Sequence, residues 1–235
     1  MTDYEYYKEK YRLQLNELSK FSVWTRPQIC DYIHISNDTL DKLCNLTLIN
    51  KFKLEKGKSF YYSIKNDTFT NKTIAKSIMF IDFYYDIYIR YHEYERENLF
   101  SFDGKTDSKS LISRNVRKIG FDNHYSYYHF TVLNEINFPS SCFTKDLNDI
   151  QKESLIKEYL KKDEIKNIIK TLKDIQLNDS KESVVVYVSI RNLRNIDFVK
   201  EVLESDIELF QLINNKLIYF KLISVEHPQL DEIKL

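Results

Sequence analysis

The stretch 36–45 concentrates side chains suited to reading a nucleic acid. Ser36, Asn37, Thr39, Lys42 and Asn45 recur there within one short amphipathic segment. An Asn amide can bond adenine at two points, Ser and Thr hydroxyls reach bases or phosphate, and a Lys ammonium neutralises phosphate. Thr25 and Arg26 stand just upstream, where they could bond to phosphate. Lys53, Lys56 and Lys58 follow downstream and could track the backbone or the minor groove. Asp38 and Asp41 share the same segment and no arginine lies on it, which is thin for a strong base reader. The bland alternative is a set of solvated polar residues.

Other chemistries are poorly provided for. His124, His129 and Cys142 match no zinc spacing, and no fourth ligand is evident. Eighteen tyrosines do not make a DNA-nicking tyrosine enzyme, because no pair of closely spaced histidines stands ready to hold its metal. A metal-dependent nuclease needs converging carboxylates with a lysine. Asp122 and Glu135 are the only loose echo, and Ile136-Asn137 leaves the lysine expected after Glu135 missing. No P-loop, GxGxxG or GxSxG occurs. Neither a catalytic residue, a metal ligand nor a cofactor site is therefore expected.

The elements that must position the 36–45 segment are legible around it. Pro27 suits the opening of a helix carrying Ile29 and Ile33 on one side. Ile35 closes an apolar turn, and Ser36 or Asn37 can cap a second helix with Leu40, Leu43 and Leu46 or Thr47 at helical spacing. Residues 52–54 and 59–64 flank Glu55-Lys56-Gly57-Lys58, a hairpin signal. Two short helices followed by a hairpin, across 25–64, is the order of a winged helix-turn-helix, whose second helix enters the major groove. Between 25 and 65, Arg26, Lys42, Lys51, Lys53, Lys56, Lys58 and Lys65 outnumber Asp31, Asp38, Asp41 and Glu55. That modest excess predicts salt-sensitive binding.

Upstream, the spacing predicts a helix over 3–19, with Tyr4, Tyr7, Tyr11, Leu15 and Leu18 as a core-packing stripe. Phe21, Val23 and Trp24 read as extended and buried. Within 72–98, the run 78–91 fits both helical and strand periods, and its length favours helix. Asp82, Asp86 and Arg90 would then line one polar face, with Asp86 able to pair with Arg90. Such a helix would serve equally well as a dimer interface or as a central core helix. Residues 100–123 read as a loop or short helix, with a basic run that is most simply solvated surface.

From 124 onward the pattern is α/β. A strand is expected over 126–133, one or two helices over 145–176, a buried strand over 183–190 and a helix over 195–203. Residues 207–213 and 216–225 read as a hairpin through Asn214-Asn215. The fold class is thus α+β: an N-terminal winged helix-turn-helix over 1–70, an aromatic helix and connecting loop over 71–123, and a mixed α/β domain over 124–235.

Composition bounds the rest. The chain has 235 residues, 35 basic and 35 acidic, so no whole-chain charge points to nucleic acid. Three glycines and three prolines argue against long disordered linkers. Cys30, Cys44 and Cys142 are odd in number and lack CxxC spacing, which suits buried reduced thiols in the cytoplasm. No signal peptide is visible, and no stretch is apolar enough to span a membrane.

The layout resembles the replication-relaxation family, winged-helix proteins of plasmids and mobile elements. The resemblance runs from Arg26-Pro27-Gln28-Ile29 through Leu48-Ile49-Asn50-Lys51-Phe52 to Tyr62, and more loosely into the aromatic segment. In the far half it covers Tyr127 to Glu135 and Val184-Val185-Val186-Tyr187-Val188. The recognition-helix arginines often seen in that family are missing, as is the Pro-Asp before the central strand. The resemblance implies a degraded nuclease-like fold for the α/β half. It implies a non-catalytic accessory role in replication, mobilisation or transcription control. Expected partners are double-stranded DNA, a second copy in a homodimer, and a replication or mobilisation protein, with no membrane. The rival readings are a winged-helix protein-interaction module without DNA binding, and a divergent metal-dependent nuclease.

Overall fold

A computed structural model describes residues 1–54, 59–89, 115–121, 124–136, 147–179, 181–227, 229–230 and 233. The chain divides into two compact units, Met1–Glu93 with Glu226–Leu235, and Tyr94–Val225. Both mix helix and strand.

In the first unit, α1 (Asp3–Lys10) opens on a capping box in which Thr2 and Glu5 each satisfy the other's backbone N–H. The helix expected over 3–19 is divided at Tyr11, and α2 (Arg12–Ser19) continues from it. The hydrogen bonds run on across the break, from Tyr11 N–H to Tyr7 and from Leu15 N–H to Tyr11. The expected burial of the tyrosine stripe is overturned in part: Tyr4 is exposed and Tyr7, Tyr11 and Leu15 are half-buried, while Leu18 is enclosed. Helical spacing defines a face, but burial needs an apolar surface opposite it. In this unit Leu18, Trp24, Ile29, Leu40, Leu43, Ile74, Ile78 and Phe80 are among the side chains that are fully enclosed.

Strand β1 (Trp24–Thr25) leads into α3 (Arg26–Tyr32). Thr25 and Gln28 form a second capping box, and Pro27 occupies the first turn where a missing N–H costs nothing. Ile33 and Ile35 are buried on either side of His34, whose φ of 57° is the left-handed bend of the turn. Ser36 caps α4 (Asn37–Asn45), accepting the Thr39 N–H. Strands β2 (Asn50–Lys53) and β3 (Phe60–Ser63) pair antiparallel, Phe52 opposite Tyr61, and β3 also pairs with β1. The sheet order is β1-β3-β2. Lys56 and Lys58 lie outside the described residues.

Over its described residues, 78–89, the ambiguous aromatic run is helical. Thr70 caps α5 (Asn71–Asp82), and a π-helical segment, Phe83–Ile89, continues it. Ile74, Ala75, Ile78, Met79, Phe80 and Ile81 are buried, so α5 is a core helix of its unit. Ser77 Oγ donates to the Val23 carbonyl at 2.7 Å. Phe21 packs on Trp24, Phe80 and Tyr84, with ring centroids 5.1 to 5.6 Å apart. Arg90, expected to pair with Asp86, lies outside the described residues.

The second unit is built on β4 (Val116–Phe121), β5 (Tyr125–Val132), β6 (Ser183–Arg191) and β7 (Ile218–Val225), in that order across one sheet. β4 runs antiparallel to β5, while β5, β6 and β7 are parallel. Helices α6 (Asp149–Tyr159), α7 (Asp163–Asn178), α8 (Ile196–Glu204) and α9 (Ile207–Asn214) share one apolar core with Tyr128, Phe130, Val184, Val186, Val188, Ile190, Ile218 and Leu222. The single or double helix expected over 145–176 is double.

Two expectations are overturned in this unit. Residues 116–121, read as loop or short helix, form a strand. A register shift between Lys118 and Gly120 breaks the alternation that would have marked it. Residues 207–213, read as a strand, form α9, and Asn214-Asn215 is its C-terminal end rather than a hairpin turn. Asp206 accepts the Leu209 N–H at 2.9 Å and starts the helix. Parallel pairing of β6 with β7 demands a crossover, which α8 and α9 supply. A short apolar run fits either period, so its sequence could not decide.

Candidate nucleic-acid interface

Leu40 and Leu43 anchor α4 in the core and turn its other side outward. Ser36, Asn37, Lys42 and Asn45 are exposed and Thr39 is half-exposed. Three of these are already engaged locally. Ser36 Oγ caps the helix and donates to Thr39 Oγ1 at 3.0 Å. Asn37 Oδ1 accepts from Arg26 at 3.1 Å. The Lys42 ammonium lies 4.4 Å from the centre of the Tyr7 ring, and a hydrogen bond with Tyr7 raises its pKa.

Arg26 and Thr25 are placed differently from a pair of phosphate contacts. Thr25 is fully buried and its hydroxyl serves the α3 cap. The Arg26 guanidinium forks onto Asp41, at 2.7 and 3.4 Å, and its Nε donates to the Tyr62 hydroxyl at 2.9 Å. The bond from Asp41 holds the guanidinium protonated, and the same bond holds the Asp41 carboxyl below its ordinary pKa. Lys51 adds a second cation 3.5 Å from Asp41. The negative charge on α4 that weighed against nucleic acid is thus largely offset at Asp41, leaving Asp38 on the same helix as Lys42. Lys53 is exposed, with its ammonium 5.6 Å from the Phe60 ring centre. Tyr7, Lys51 and Tyr62 were not singled out from the sequence for these roles. Their partners are distant along the chain, and no local spacing marks them.

Behind the α4 face, α3 is tied to α5 by polar groups. Gln28 Nε2 donates to Asp82 at 2.6 Å and to the Ile78 carbonyl at 3.0 Å. The Tyr32 hydroxyl is 2.7 Å from Asp86 and 3.5 Å from Asp82. Burial, with a smaller push from Asp86, raises the Asp82 carboxyl to about 7 against the opposing bond from Gln28.

The second unit places its polar residues elsewhere. His129 Nε2 lies 2.9 Å from Ser189 Oγ, a nucleophile beside a base, with Thr131 at 3.5 Å. Both His129 and Ser189 are fully enclosed, so a substrate has no approach. Burial and the nearby Arg117 charge push the His129 pKa well below its usual value, leaving the imidazole neutral. His124 is exposed at the start of β5, about 16 Å along the strand from His129 by strand geometry. Among the described residues no cluster of His, Cys, Asp or Glu could hold a metal ion. Glu135 is 3.6 Å from Arg191 Nε and accepts from Asn192 Nδ2 at 2.9 Å. Asp122 and Cys142 lie outside the described residues. Cys30 and Cys44 are unbridged and half-buried rather than enclosed.

Asp179 is the most heavily bonded carboxylate of this unit among the described residues. It accepts from Ser126 Oγ, Tyr128 Oη, Lys118 Nζ and the Lys181 N–H. Burial pushes its pKa up, but these bonds together outweigh it and hold the carboxyl below its usual range. Among the described residues no helix is long and apolar enough to cross a membrane. No protein-family model, curated protein or solved structure matches the chain.

Proposed function

We propose that the first unit is a winged helix-turn-helix that binds double-stranded DNA site-specifically, with α4 as the helix presented to the major groove. The observation that carries this reading is the arrangement of α4. Its apolar side is anchored by Leu40 and Leu43, its outward side carries Ser36, Asn37, Thr39, Lys42 and Asn45, and Asp41 is offset by Arg26 and Lys51. The element order α3, turn, α4, β2, β3 supports the same reading. The resemblance to the replication-relaxation family suggests the setting: a non-catalytic cytoplasmic protein of a plasmid, phage or other mobile element, acting in replication, mobilisation or transcription control, as a dimer or with a partner protein.

A shift titration against fragments of the gene's own upstream region, at two salt concentrations with competitor DNA, tests the proposal. One fragment should bind tightly and salt-sensitively. Replacing Lys42, Lys56 and Lys58 by Ala should weaken binding and flatten its salt dependence, by about one unit of log–log slope for each phosphate no longer neutralised. Unchanged binding in that variant would sink the assignment. The zero net charge and the exposed Asp38 favour a second reading, an interaction module that docks a protein through the same face. Absence of duplex binding at low salt would select it.

A further inference from the structure

Of the side chains of helix α1, only Tyr7 is as much as half-buried. The helix carries Tyr4, Tyr6 and Tyr7 and runs into Tyr11, yet buries none of its residues. Tyr4 and Tyr6 are each 42% exposed. Tyr6 meets Tyr7 edge-on at 5.2 Å, and Tyr7 stacks on Tyr11 at 6.0 Å. A lysine ammonium attends every ring: Lys8 is 5.8 Å from the centre of Tyr4, and Lys10 is 5.5 to 5.9 Å from Tyr6, Tyr7 and Tyr11. Helical spacing puts Tyr6, Lys10, Tyr7 and Tyr11 along one side, with Asp3 among them and Tyr4 and Lys8 at its edge, while Glu5 and Glu9 fall on the other side. Lys42 of α4 sits over Tyr7, so this band continues directly into the outward face of α4.

We propose that the tyrosine–lysine band of α1 binds unpaired nucleotides, so that the protein engages duplex through α4 and an adjoining single strand through α1. The inference rests on the duplex-binding reading of α4 for the first half of that pairing, and on α1 alone for the second. A nucleotide presents a flat ring and a phosphate charge close together, and the band presents the exposed rings of Tyr4 and Tyr6 with ammonium groups beside them. Duplex backbone would use the lysines but leave the rings idle. Lipid chains would call for aliphatic side chains, and α1 has none. Rings that stack on bases are tolerant of sequence, since every base has a π-face.

The test compares three labelled probes with the full-length protein by anisotropy: a blunt duplex, the same duplex with a thymidine overhang, and the overhang strand alone. The overhang should strengthen binding about tenfold, in line with stacking of one base or more. Tyr4→Ala/Tyr6→Ala should remove that gain and leave blunt-duplex affinity unchanged. Tyr4→Phe/Tyr6→Phe should keep it, because stacking needs the ring and not the hydroxyl. Both positions are exposed, so neither variant disturbs the core. Equal binding of blunt and overhang probes, or a gain that survives the Ala variant, overturns the inference and leaves the duplex reading intact. Binding of the single strand without the blunt duplex upholds the α1 site and removes the duplex reading. Binding of no probe at low salt removes both.

Discussion

The Arg26–Asp41 pair has consequences that neither residue has alone. Arg26 at the start of α3 reaches across to α4 and holds Asp41 by two nitrogens, with Tyr62 and Asn37 as further acceptors. On the outward face of α4, an Asp41 left with Lys51 alone would be less well offset and would repel phosphate. Arg26→Ala is therefore expected to weaken duplex binding about tenfold, and Arg26→Ala/Asp41→Ala to restore it to within about threefold of the original. The same shift titration measures both. A double variant no better than the single would mean that Arg26 touches phosphate itself. This pairing explains why the acidic character of 36–45 misleads when read along the chain. Charge in the sequence is counted, whereas charge at a surface is what remains after pairing between residues 15 apart.

At the scale of elements, the joint between α3 and α5 sets a pH dependence. Asp82 keeps its proton up to about 7 in the folded chain because burial disfavours its charge. The unfolded chain releases that proton in the ordinary carboxylate range, near pH 4. Between those values the folded state holds more protons, so its stability falls as pH rises, by about 2–4 kcal/mol in all, and levels off above 7. Asp82→Asn keeps an acceptor for Gln28 without a charge to bury. Urea unfolding from pH 4 to 8 should show this fall in the parent and a flatter profile in Asp82→Asn; parallel profiles would rule Asp82 out as the cause. The elements themselves were unevenly legible. α3 and α4 were readable because their signals are local: Pro27 in the first turn of α3, and Ser36 ahead of Leu40 and Leu43 in α4. β4 was hidden by its bulge and α9 by a run that fits two periods.

For the whole molecule, the chain builds its first unit, forms the second over Tyr94–Val225, and returns to the first with Glu226–Leu235. Leu230 and Ile233 on that returning segment are buried. Leu230→Ala should cost about 2–5 kcal/mol, as emptying an enclosed leucine site usually does. Denaturant unfolding reads it directly, and a loss below about 0.5 kcal/mol would show that the segment is only loosely attached. The sequence by itself determined which stretches are amphipathic, where α3, α4 and α8 begin, and that β6 is a buried strand. Caps, prolines and apolar periods act within a few residues, so the chain carries them openly. Tertiary structure alone decided that α1 lies exposed, that Arg26 pairs with Asp41, that Thr25 is buried, and that β7 pairs parallel to β6. Each of these depends on which surfaces remain to be covered once distant segments have packed, and nothing in local spacing encodes that competition.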